Sequence, residues 1–189
     1  MEHIHSKMII KKGTKKLSKF QLYLFYFFLF AFFGWLMETA YSFVMLGHFT
    51  KRGFLYGPLC PLYGYGALIL ILFLGKYRKH SFKLFVYSAV IFSVFEYITS
   101  YVLEVLFHSY WWDYRNDFFN LNGRISIFYS FAWGIIAILF VGHLYPFIKK
   151  KASFILSKVS YSLKAFLINS ACVIYVVDTI LSCVRYFQF

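Results

Sequence analysis

Apolar residues run through this chain in long blocks, broken by short basic or polar stretches. A membrane-crossing helix needs about 20 predominantly apolar residues. By that measure the blocks predict about five transmembrane helices, at about 20–46, 59–75, 82–107, 125–148 and 165–187. The first block would reach about 40 Å as a helix, so it must tilt or project beyond the hydrocarbon. It is too long for the apolar core of a signal peptide and lacks an A-x-A-like cleavage site, so it reads as an anchor that stays in the protein. The pattern predicts an all-α fold: a polytopic helix bundle forming one transmembrane domain over 20–189, preceded by a basic segment over 1–19.

Two stretches interrupt this pattern. Residues 52–66 hold Gly53, Gly57, Gly64, Gly66, Pro58 and Pro61 around Cys60 and Tyr63. Glycine opens backbone conformations closed to other residues, and proline lacks an N–H. In lipid such backbone survives only where protein buries it or a wet cavity lies beside it. The segment is therefore either a packed, partly re-entrant turn or a tight outer loop leading into a Gly-rich helix start. Residues 149–164 are polar on one side and apolar on the other, at Phe154, Ile155, Leu156 and Val159. They fit a short amphipathic helix lying on the membrane surface or a plain solvated linker.

Composition adds weight to the membrane reading. The 189 residues are 61% hydrophobic, 25% aromatic and only 14% charged, against about 25% charged in soluble domains. The net charge of +13 does not point to nucleic acid, because the cations sit in clusters beside the apolar blocks. Most fall before the first span and in the connections after the second and fourth. This is the positive-inside pattern, and it orients the chain with its N-terminus inside and its C-terminus outside. Three scattered cysteines and six scattered histidines offer no disulfide framework and no metal site. Nothing in the sequence calls for a cofactor.

The acids carry the candidate chemistry. An ionisable group near the bilayer centre costs about 2.5–3.5 kcal/mol on insertion scales, yet Glu38, Glu96, Glu104 and Asp178 lie inside the predicted spans. At about 1.5 Å per residue all four fall in the outer half of the bilayer, on the side of Arg52, Asp113 and Arg124. Ser100 stands one helical turn from both Glu96 and Glu104. One reading is an outward-facing polar cavity in which Arg52 and Arg124 balance the carboxylates. The other is a set of buried ion pairs that clamp the helices and bind nothing. Asp178 stands apart as a partner for a Ser or Thr, or as an oligomer contact. Loop residues 110–125, with Trp111 and Trp112, read as an interfacial aromatic belt. No G-x-x-x-x-G-K-[ST], G-x-S-x-G, H-E-x-x-H or C-x-x-C occurs.

Several short motifs, in order, carry a resemblance. Gly34-Trp35 with Glu38 is followed by Arg-Gly-Phe-Leu-x-Gly-Pro-x-Cys-Pro-x-Tyr-Gly-x-Gly over 52–66. Then come Glu96 with Ser100 and Glu104, Trp-Trp-Asp-Tyr at 111–114, Phe-Asn-x-x-Gly-Arg-Ile at 119–125 with Asn120 and Gly123, and Trp133-Gly134. Together, over about residues 30–135, they resemble the bacterial membrane proteins described as Putative ABC-transporter type IV (CmpB-like). The resemblance implies a permease of the bacterial inner membrane without an ATPase domain of its own, served by a separate ATPase subunit. Five spans are few for a complete pathway, so a homodimer or a partner permease is expected. Three functional classes stay open on the residues. The first is transport through a site of Glu38, Arg52, Glu96, Ser100, Glu104, Asp113 and Arg124. The others are a membrane-embedded enzyme acting on lipid or an envelope precursor, and a ligand-free assembly or regulatory subunit.

Overall fold

The computed structural model describes residues 16–187. Most of the basic segment, with Lys7, Lys11, Lys12 and Lys15, lies outside the described residues. Helix α1 (Lys19–Leu46) starts at a capping box in which Ser18 and Gln21 exchange side-chain to backbone hydrogen bonds. It stops at Gly47, which takes a left-handed conformation and bonds back to Phe43. Helices α2 (Pro61–Ile69), α3 (Ser81–Phe107), α4 (Ile127–Leu139), α5 (Tyr145–Lys158) and α6 (Tyr161–Phe187) follow. The only strands among the described residues are the two-residue β1 (Asn120–Leu121) and β2 (Ile125–Ser126), paired in the outer loop.

Among the described residues, four helical runs are long and apolar enough to cross a membrane: α1, α3, the α4–α5 unit and α6. The second expected span is shorter. It runs from Pro61 through a π-helical stretch (Leu70–Leu74) and a 3-10 turn to Tyr77. The Gly/Pro segment keeps the chain non-helical until Cys60, whose N–H donates to the carbonyl of Ala31 in the middle of α1 (2.9 Å). Between Leu46 and Cys60 the chain thus folds back along α1 over about 22 Å of its length. Helix α2 begins only at that depth.

The helix of the fourth expected span runs on past residue 148. It continues unbroken from Ile127 to Lys158, so residues 149–158 are not a linker but a helical extension of α4. The break comes at Ser160. Lysine, alanine and leucine after Pro146 are good helix formers, which favours the extension. Pro146 itself has no N–H to give to Gly142 four residues earlier. The helix passes it through a π-helical stretch (Phe140–Leu144), and the Gly142 carbonyl accepts instead from Arg78 Nη2 (3.1 Å).

Helices α1 and α2 approach closely because glycines meet aromatic rings. A Cβ on Gly34 would run into the Tyr63 ring, and one on Gly64 would meet both the ring and the carbonyl of Phe27. The core lies toward the lysine-rich end, where Tyr26, Phe30, Leu70, Leu74, Leu84 and Phe140 pack together. Outward faces are apolar as well. On α3 an exposed stripe of Val90, Val94, Ile98 and Val105 runs opposite a buried one of Leu84, Ser88, Phe92, Glu96 and Ser100. A helix apolar on its exposed face belongs in lipid. The chain is a multi-pass membrane protein.

Candidate functional site

The buried stripe of α3 carries Glu96 four residues after Phe92 and four before Ser100, so helical periodicity points the carboxylate inward. Glu96 is 6% exposed. Its Oε1 accepts from the Tyr114 hydroxyl at 2.8 Å and its Oε2 from the Trp133 indole N–H at 3.0 Å. Two neutral donors therefore hold this carboxylate, and it forms no ion pair among the described residues. Ser100 is buried one turn away.

A second carboxylate is held in the same manner. The Tyr63 hydroxyl donates to Glu38 Oε1 at 2.5 Å. Tyr63 sits in the first turn of α2, beside Gly34. Each carboxylate is thus held by donors from other parts of the chain: Glu38 of α1 by Tyr63 of α2, and Glu96 of α3 by Tyr114 of the 110–125 loop and Trp133 of α4.

Residues 110–125 form an internally bonded element. Asn122 and Gly123 have positive φ (53° and 69°), which turns the chain between β1 and β2. Asn120 accepts from the Gly123 N–H and donates to the carbonyls of Arg115 and Asp117. Trp112 Nε1 donates to the Arg124 carbonyl (3.0 Å), and the Tyr114 N–H to the Gly123 carbonyl (2.8 Å). Tyr114 is stacked on Tyr129 at 4.3 Å, so its hydroxyl points down to Glu96. Burial first, and the Glu96 charge second, hold its phenol above the ordinary tyrosine range. Tyr114 therefore stays a donor.

Glu104, two turns nearer the loop, pairs with Arg124 and accepts from the Tyr110 hydroxyl (2.5 Å). The Arg124 guanidinium lies over the rings of Tyr97 and Tyr101. Arg52 takes no part in an ion pair among the described residues; its Nε donates to Ser42 Oγ (2.8 Å). Asp113 pairs with Arg115 at 3.0 Å on the exposed rim of the loop. Of the expected residues, Glu38, Glu96, Ser100, Glu104 and Arg124 lie along the α1–α4 interior and its loop-side mouth, while Arg52 and Asp113 point to other partners. No cluster among the described residues could hold a metal ion.

Asp178 does more than meet a serine. It accepts from Ser182 Oγ (3.1 Å) and from the backbone N–H groups of Tyr56 (2.7 Å) and Gly57 (2.8 Å). Arg185, one helical turn beyond Ser182, donates to the Phe54 carbonyl at 2.7 Å. These two residues of α6 satisfy the folded-back segment where no strand or helix can. Phe54 then packs against Phe107, Trp111 and Tyr186. Sequence reasoning passed over Tyr63, Tyr114 and Trp133 as donors because it sought cations for the acids. Their places beside the glycines and in the Trp-Trp-Asp-Tyr motif were the available signal.

Comparison with known proteins returns one family. Its model, described as Putative ABC-transporter type IV, matches residues 25–183. That range covers most of α1, all of α2 to α5 and the greater part of α6, well beyond residues 30–135. Searches of curated proteins and of solved structures return no match. With most of its length matched, the chain belongs to the family of membrane proteins described as Putative ABC-transporter type IV.

Proposed function

We propose that the chain is the membrane-embedded permease component of a transport system, and that its working site is the network of Glu38, Tyr63, Tyr114 and Glu96. The observation that carries this proposal is Glu96: a carboxylate buried among helices, held by a phenol and an indole, with no cation paired to it among the described residues. A structural clamp in lipid would pair the acid with a base, because an unpaired buried charge is costly. Neutral donors instead orient both oxygens and leave the charge to be balanced by a proton or a cationic substrate. Glu38 with Tyr63 repeats the arrangement close by. Glu104 and Arg124, joined at the mouth, would hold the loop over the site between loading events.

The positive-inside rule supports an orientation with the lysine-rich end in the cytoplasm and the loop outside, in the bacterial inner membrane. The family description supports a separate ATPase subunit, and α5 with Lys149, Lys150 and Lys151 offers it a projecting helix. The test of the site is a proteoliposome assay with a pH-sensitive dye in the lumen and an imposed potential. Wild-type protein is expected to move protons or to exchange them for cations, and Glu96→Gln to be silent at equal protein density. Equal flux from both proteins would overturn the assignment. Purification in mild detergent tests the ATPase separately: a stoichiometric ATPase subunit supports the ABC reading, and a lone homo-oligomer rejects it.

A further inference from the structure

The loop-side end of α6 holds a second arrangement, made of different residues. Tyr56, in the folded-back segment, carries two cations on its ring: Lys51 Nζ at 4.5 Å from the centroid and the Arg185 guanidinium at 4.2 Å. Neither cation has a carboxylate within ion-pair distance among the described residues. The nearby Asp178 is already committed to two backbone N–H groups and a hydroxyl. Burial and the Arg185 charge both hold the Lys51 ammonium below its ordinary range. Two like charges kept together on one ring are complementary to an anion.

A surface groove opens there, lined by Tyr56, Leu181, Val184 and Arg185. Leu181 lies one helical turn before Arg185, about 6 Å nearer the bilayer centre. Leu181 and Val184 are both about half exposed, so the groove runs from the Arg185 guanidinium, with Lys51 over the same Tyr56 ring, onto an apolar wall that faces lipid. Arg185 uses one N–H on Phe54, which leaves other donors of its fork free.

From this geometry we infer that the groove is a binding site for an anionic phospholipid, with the phosphate between Lys51 and Arg185 and an acyl chain along Leu181 and Val184. A free phosphate would satisfy the cations but not the apolar wall. The site shares its segment with Asp178, so a bound lipid also braces the chain between Leu46 and Cys60. This inference does not depend on the carboxylate network.

The test is native mass spectrometry of the detergent-purified full chain, offered phosphatidylglycerol, phosphatidylcholine or inorganic phosphate. Wild-type protein is expected to retain phosphatidylglycerol preferentially. Lys51→Ala, which removes an exposed side chain, should lower that retention about fivefold, the equivalent of about 1 kcal/mol for one basic side chain. Leu181→Trp, which fills the groove, should lower it as well while the melting temperature stays unchanged. Retention that is unaffected by both substitutions overturns the site. Full displacement of phosphatidylglycerol by inorganic phosphate, with no effect of Leu181→Trp, overturns the lipid assignment.

Discussion

The hydroxyl of Tyr114, in a loop at one end of the bundle, donates to Oε1 of Glu96 at 2.8 Å in the buried interior of α3. The loop is therefore fastened to the helix that carries the acid, and the acid is covered by the loop. Replacing Tyr114 by Phe leaves Glu96 with Trp133 as its one remaining donor. That substitution should destabilise the protein by about 1–3 kcal/mol, the cost of an unmet buried acceptor. Glu96→Gln keeps the shape and should lower stability less while abolishing proton or cation flux. Thermal unfolding in detergent and the proteoliposome assay, run on the same samples, separate the two effects.

Gly57 has no room for a side chain. A Cβ there would sit 2.9 Å from Asp178 Oδ2, the atom that accepts from the Gly57 N–H. Gly57→Ala and Asp178→Asn should both loosen the folded-back segment. Asp178→Asn, which removes the charge from three accepted bonds, is expected to cost about 1.5–3 kcal/mol. Labelling of Cys60 by a thiol reagent should accelerate in both variants, and an unchanged labelling rate would refute the clamp.

Arg78 and Pro146 make a reciprocal pair through Gly142. Arg78→Ala removes an exposed hydrogen bond from the Gly142 carbonyl and should lower stability by about 0.5–1.5 kcal/mol. Pro146→Ala restores the N–H that Gly142 lacks, so the same Arg78→Ala change should cost much less in that background. A double-mutant cycle on melting temperature shows the coupling directly.

Stability at high pH should report on Tyr114. Its phenol is held above the ordinary value of about 10 by burial and then by Glu96. On raising the pH the unfolded phenol ionises first. The contribution of this group is present below about pH 10 and is lost as the pH climbs toward the higher folded value. The fall in melting temperature through that window should be shallower in Tyr114→Phe.

The long apolar blocks were enough to read the bundle, because each of four helices presents lipid-facing residues along most of its surface. The exceptions lie where backbone groups or distant side chains decide. The depth reached by residues 47–60 depends on a bond from Cys60 to Ala31 and on two residues of α6, none of which leaves a local pattern. The extension of α4 through Lys158 was hidden because Pro146 and a run of lysines look like a helix end. The acids Glu38, Glu96 and Glu104 could be picked out, since carboxylates in apolar blocks are conspicuous. Their donors could not, because a tyrosine that reaches Glu96 and one that faces headgroups look alike in the sequence.

The bonds from Asp178 to Tyr56 and Gly57 join positions 122 and 121 residues apart. At a synthesis rate of about 5–20 residues per second, the ribosome needs roughly 6–24 s to make the stretch between them. The folded-back segment must therefore enter the membrane with its N–H groups still without their final acceptor. It settles only after α6 has been delivered. Helix α6, made after α1 to α5, finishes the first turn of the described chain, so that turn settles late in assembly.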